Sequence, residues 1–210
     1  LEYCANKPYL AKKDLFLIHS AVNAERYSGG NREKLRKEYE IGDKFLAGIV
    51  GRLRPEKGHK KLFDAFASIK HKIPEMLLLV CGGGSMGQEL QQYAREKNIR
   101  DRVIFTNFRK DVPDVLAALD LFILPSQTEG LGTAILEAGA AGLPVIASRV
   151  GGIPDIITHE QNGLLIPSGN TEKLAEAILD MYSNCKKARK FGKEIQKTVK
   201  DHFSEKALGE

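Results

Sequence analysis

Two glutamates, Glu129 and Glu137, stand with seven residues between them, and Gly130, Leu131, Gly132 and Thr133 follow the first. Glycines let backbone amides come close to a ligand, and the N-terminus of a following helix aims its N–H groups at an anion. Thr133 and Glu137 are four apart and share a face of such a helix. A carboxylate before the helix and another in its second turn can then accept hydrogen bonds from hydroxyls on two rings of one extended ligand. The plainer reading makes Glu137 a complement to the helix dipole and Glu129 an exposed loop carboxylate; the glycines favour the first. Earlier in the chain, Arg52 and Lys57 flank Pro55. Two cations beside fixed amides can hold a diphosphate and stabilise it as it leaves, without a metal, unless they are only solvated surface charges.

A metal is not expected. No Asp lies two residues from another Asp, and no His or Cys cluster has ligand spacing. Gly82, Gly84 and Gly87 match the dinucleotide fingerprint G-x-G-x-x-G. A nicotinamide site also wants an acidic residue at the end of the next strand, where this chain has Asn107, with Arg109 and Lys110 beyond. An Arg there suits a 2′-phosphate, so an NADP enzyme stays open as a distant alternative. The fingerprint should also follow the first strand of its sheet, whereas a strand with its own basic loop precedes it.

The elements that would carry these residues follow from periodicity. Strands are expected at 45–50, 76–81, 102–106, 121–124, 144–147 and 163–166, and helices at 59–72, 88–97, 112–119, 133–141 and 172–182. Leu62, Phe63, Phe66 and Ile69 share one face of the first of these helices. Strict alternation implies right-handed crossovers and a doubly wound parallel α/β sheet, Rossmann-like, covered on both faces. In such a sheet ligands bind beyond the carboxyl ends of the strands. The loops at 51–58, 82–87, 107–110, 125–132 and 148–152 collect half of the 20 glycines and much of the loop cation content on that edge, which points to a phosphate-bearing ligand. Outside this core, 15–19 reads as an edge strand, 32–39 as a charged helix and 186 onward as a basic helix. The expected division is 1–43 as linker and remnant of a preceding domain, 44–183 as the α/β domain, and 184–210 as a basic C-terminal helix.

The 210 residues give one large domain or one and a half. With 42% hydrophobic and 28% charged residues the composition excludes disordered, collagenous and disulfide-framework classes. No apolar run approaches a membrane span. Cys4, Cys81 and Cys185 are odd in number and far apart, which suits free thiols in a cytoplasmic protein. The net charge of +5 and pI near 9.0 favour anionic partners without choosing among them. Beginning at Leu1, the chain reads as a fragment.

Gly51-Arg52 through Lys57-Gly58, the 111–113 segment, Pro125-Ser126 with Glu129-Gly130, Glu137-Ala138, the 142–147 run, the 151–154 segment and Asn162-Gly163 resemble the C-terminal, donor-binding half of retaining GT-B glycosyltransferases of family 4. The match covers about 15–182, and the two glutamates are the family hallmark. The resemblance implies a metal-independent transfer of sugar, with retention, from a nucleoside-diphosphate sugar, UDP- or GDP-linked, and no cofactor. Arg52, Lys57 and Glu129 are the implied catalytic set. Gly51, Gly84, Asn107, Phe108, Arg109, Gly130, Leu131, Gly132, Thr133 and Glu137 are the implied donor-binding set. Within it Glu137 meets the ribose, the 107–110 loop the base, and Glu129 with the amides of 130–133 the sugar and distal phosphate. An acceptor sugar or glycolipid belongs to a missing N-terminal domain, so the fragment is expected to be inactive alone. No nucleic-acid partner is implied. A sugar-nucleotide epimerase of the same architecture, and a module that binds nucleotide without catalysis, remain alternatives. Three departures stand out. The 18–23 segment replaces a usual Asn-Gly-x-Asp turn, Asn107 replaces a usual Gly where positive φ is needed, and the chain stops soon after Ser204. Lys186, Lys187, Arg189, Lys190, Lys193, Lys197 and Lys200 form a cationic tail that either rests on anionic lipid at the membrane's inner face or is a solvated helix face.

Overall fold

The computed structural model describes residues 21–208. The edge strand expected at 15–19, and Cys4, lie outside the described residues. Six strands, β1 (Phe45–Val50), β2 (Met76–Cys81), β3 (Val103–Asn107), β4 (Leu121–Leu124), β5 (Val145–Ser148) and β6 (Leu164–Ile166), form one sheet in the order β3-β2-β1-β4-β5-β6. Every pairing is parallel, as the alternation of elements predicts. All six expected strands exist: β1, β2 and β4 have the expected bounds, and β3, β5 and the start of β6 are shifted by a residue. Thus β5 begins at Val145 because Pro144 has no N–H to give.

The order reverses between β1 and β4. Their ladder holds only for Ala47↔Leu121 and Gly48↔Phe122, so pairing stops short of both carboxyl ends. That is the topological switch point, where an open sheet leaves a crevice.

Helices α1 (Ala24–Ser28) and α2 (Arg32–Glu38) precede the sheet. Within and after it come α3 (His59–Ile69), α4 (Gly87–Glu96), α5 (Val112–Ala118), α6 (Thr133–Ala140), α7 (Ile153–Ile156), α8 (Thr171–Ser183), α9 (Cys185–His202) and α10 (Glu205–Leu208). The predicted face of α3 is buried, with Leu62, Phe63, Phe66 and Ile69 all inward. Asn170 caps α8, its side chain accepting from the Lys173 amide at 2.8 Å. The helices at α1 and α7 are absent from the sequence reading, because one turn has no period to detect, and the basic helix expected from 186 onward is broken at Phe203–Ser204 into α9 and α10.

Among its lysines α9 carries a second message. Ala188, Phe191, Gly192, Ile195 and Val199 are buried, and a Cβ on Gly139 of α6 would meet Val199 at 2.8 Å and Ile195 at 3.1 Å. A strongly basic helix thus covers α6 with its apolar stripe while its cations face out. The chain also enters and leaves the sheet side by side: the Val22 amide donates to Phe203 O at 2.9 Å and the Glu205 amide to Val22 O at 3.2 Å. Among the described residues no helix is long and apolar enough to cross a membrane.

Candidate functional site

At the switch point the loop after β1 turns through a 3-10 helix at Pro55–Lys57 and ends on Gly58, whose φ is +74°. A Cβ at Gly58 would lie 2.1 Å from Pro125 O, so the absence of a side chain lets this loop rest on the loop after β4. The Gln127 amide donates to Glu56 O at 2.7 Å and pins the same contact. Lys57 Nζ then lies 2.6 Å from Glu129 Oε1, and Ser126 Oγ donates to that same oxygen at 2.7 Å. Glu129 is nearly buried, its side chain 9% exposed against 23% for Lys57. A carboxylate so far from water needs charged and polar partners, and here both crowd onto Oε1, leaving Oε2 for a ligand. The sequence reading assigns Lys57 and Glu129 to different parts of one ligand; the fold joins them directly. Arg52 is exposed, and its guanidinium has no protein partner among the described residues.

The glycine pair at 151 and 152 holds the other side of Glu129. Gly151 has φ +54°, and a Cβ there would sit 1.9 Å from Glu129 O; the Gly152 amide donates to Gly130 O at 2.6 Å. A Cβ on Gly130 would meet nothing within 4 Å, so no protein atom requires that glycine and the space beside it is open. No side chain caps α6, whose first turn carries Thr133.

Glu137, one turn further along α6, has a partner the sequence does not announce. Tyr27 Oη donates to Glu137 Oε1 at 2.7 Å across 110 residues of chain. Burial, then the Glu137 carboxylate, push the Tyr27 phenol up to about 12, so it stays a donor throughout the neutral range. Ser126 and Tyr27 are the site residues that sequence reasoning misses. Ser126 belongs to the Pro125-Ser126 motif but receives no role from its type or spacing, whereas no spacing rule links Tyr27 to Glu137.

The fingerprint glycines receive a packing reason. A Cβ on Gly82 would lie 1.8 Å from Gly51 O, and one on Gly84 2.4 Å from Leu53 O. Leu53 donates its amide to Gly83 O at 2.9 Å. The close approach is that of the loop after β1, which binds Gly51 and Gly84 into one wall of the crevice. Asn107 has φ +57°, the conformation that lets Asn stand in for Gly. Phe108 beside it is 71% exposed. Arg109, expected at the base, has its guanidinium clamped between Glu38 (2.6 and 2.9 Å) and Asp111 (2.9 and 2.8 Å). The pairing holds the Asp111 carboxyl well below its ordinary range, and Arg109 serves as a strut for the loop.

His59, at the start of α3, is 1% exposed and neither ring nitrogen has a partner in hydrogen-bond geometry. Burial lowers its pKa from 6.5 to about 4, the nearby Arg54 backbone offsetting only part of this. The folded state therefore binds fewer protons than the unfolded between these values. Stability is full above pH 6.5 and falls as pH drops toward 4, by about 3 kcal/mol at 1.36 kcal/mol per unit. In urea titrations at pH 7.5 and 4.5, His59→Leu is expected to lose that share of the pH dependence. An unchanged difference between the two pH values refutes the assignment.

Concavities of about 660 and 580 Å³ lie against α9, away from the strand ends. A Rossmann-like sheet with two held carboxylates and a basic loop at its switch point defines the class: one half of a GT-B fold. The chain belongs to the family described as glycosyl transferases group 1, whose pattern matches residues 31–198. It is 33% identical over 159 residues to a GDP-mannose-dependent alpha-(1-6)-phosphatidylinositol monomannoside mannosyltransferase of Mycobacterium tuberculosis, covering 71% of this chain and 41% of that protein. It is 32% identical over 200 residues to N-acetyl-alpha-D-glucosaminyl L-malate synthase of Bacillus anthracis, covering 94% and 52%. The chain thus spans about half the length of these relatives or less. The crystal structure of Anabaena Alr3699/HepE in complex with UDP-glucose superposes with a TM-score of 0.85 at 28% identity, over 92% of this chain and 54% of that one.

Proposed function

We propose that this chain is the donor-binding half of a glycosyltransferase that moves a sugar from a nucleoside-diphosphate sugar to an acceptor with retention of configuration and without a metal. The observation that carries it is the convergence, at the β1–β4 switch point, of Lys57 and Ser126 on Glu129, with Glu137 on α6, the helix that follows the Glu129 loop. As the bond from the anomeric carbon to the diphosphate breaks, negative charge grows on the leaving oxygens. Arg52, a remaining N–H of Lys57 and the uncapped start of α6 stabilise it. Glu129 presents Oε2 to the sugar ring, Glu137 takes the ribose, and Asn107 and Phe108 border the base. No general base is assigned to this chain, and the acceptor is read by a half beyond it. A GDP-sugar user and a UDP-glucose complex among the relatives support a nucleoside diphosphate without choosing its base. Calorimetric titration with UDP, GDP, ADP and NADP is expected to show one of the diphosphates bound and NADP not. NADP binding most tightly overturns the reading.

A further inference from the structure

The geometry points to Tyr27 as a positioning residue that presets Glu137 and thereby makes the site discriminate a ribose from a deoxyribose. The inference rests on the reading of Glu137 as the ribose carboxylate. A carboxylate offers about four lone-pair sites, and Tyr27 Oη occupies one on Oε1 at 2.7 Å, which restricts the orientation of the group and leaves its other acceptor sites for a ligand. Without that bond a half-buried glutamate samples several rotamers, and a ligand must order it on arrival.

The tyrosine is itself held. It lies on α1, whose N-terminus is capped by Asn23 accepting from the Arg26 amide at 2.9 Å. Asn23 also donates from Nδ2 to Glu205 Oε2 at 3.2 Å, and the adjoining Val22 is bonded to Phe203 and Glu205. The helix that carries the hydroxyl is therefore tied to the crossing of the entering and leaving segments as well as packed on α6. The aromatic ring alone would serve packing; the bond to a carboxylate is what only the hydroxyl supplies.

Tyr27→Phe removes the bond and keeps the ring. UDP and GDP, each beside its 2′-deoxy counterpart, are titrated into the unaltered chain, Tyr27→Phe, Glu137→Ala and the double variant, with thermal unfolding of each. The unaltered chain is expected to prefer the ribonucleotide by about tenfold or more, the weight of a hydrogen bond to a charged group. Tyr27→Phe shrinks that ratio to about threefold or less, chiefly by weakening the ribonucleotide, and adds nothing further on a Glu137→Ala background. A ratio unchanged by Tyr27→Phe overturns the inference, as does equal weakening of both nucleotides together with a lowered melting temperature, the pattern of a packing role. Failure of the unaltered chain to bind any nucleoside diphosphate overturns the proposed function itself, a result separable from an unaltered ratio.

Discussion

Lys57→Ala in the complete enzyme is expected to lower turnover by about a hundredfold to a thousandfold, the usual cost of deleting one preorganised donor at a developing oxyanion. Lys57 is asked to do two things. On the proposed reading its ammonium faces the leaving diphosphate, and in the fold it neutralises Glu129 at 2.6 Å in a place where that carboxylate is only 9% exposed. Removing it leaves Glu129 with Ser126 alone on Oε1, which costs on the order of 2 kcal/mol of stability as well. Arg52→Ala should lose turnover on a similar scale with little change in stability, since the exposed Arg52 guanidinium has no hydrogen-bond or ion-pair partner among the described residues. Single-turnover rates with saturating donor, beside urea unfolding of each variant, test the distinction. Near-normal rates in both variants sink the assignment of the basic loop.

Gly151→Ala is expected to cost about a hundredfold in turnover without touching any ligand. Its φ of +54° places an alanine in left-handed backbone, about 1–2 kcal/mol by itself. The new Cβ would also lie 1.9 Å from Glu129 O and 3.0 Å from Gly130 O, so the loop that presents Glu129 must move. A displacement of about 1 Å at a reacting centre is worth about a hundredfold. Turnover and melting temperature should fall together; an active, equally stable Gly151→Ala enzyme would show that the β4 loop does not need its observed path.

Much of the fold was legible because its signals are local. Met76–Cys81 and Leu121–Leu124 are apolar runs too short for helices, and α3 repeats its apolar residues at helical spacing, so burial on the sheet follows from the pattern. The helix α9 was half legible. Its lysines dominate the composition, whereas the stripe through Phe191, Ile195 and Val199 becomes decisive only once Gly139 and Gly192 allow helices to approach closely. The fingerprint at Gly82 and Gly84 misleads for a related reason. A glycine records that something comes near, and here it is the backbone of Gly51 and Leu53.

For the site, the sequence by itself determined which residue types gather at the carboxyl edge: the Arg52–Lys57 loop, the Glu129–Glu137 pair and the glycines between them. Strand alternation and handed crossovers leave no other edge for them. Tertiary structure alone decided who holds whom. Lys57 and Ser126 converge on one oxygen of Glu129, Tyr27 reaches Glu137 from the far end of the chain, and Arg109 is drawn away to Glu38 and Asp111. Hydrogen bonds form over about 3 Å between groups as far apart in the chain as Tyr27 and Glu137, 110 residues, and no periodicity in a sequence encodes a distance of that kind.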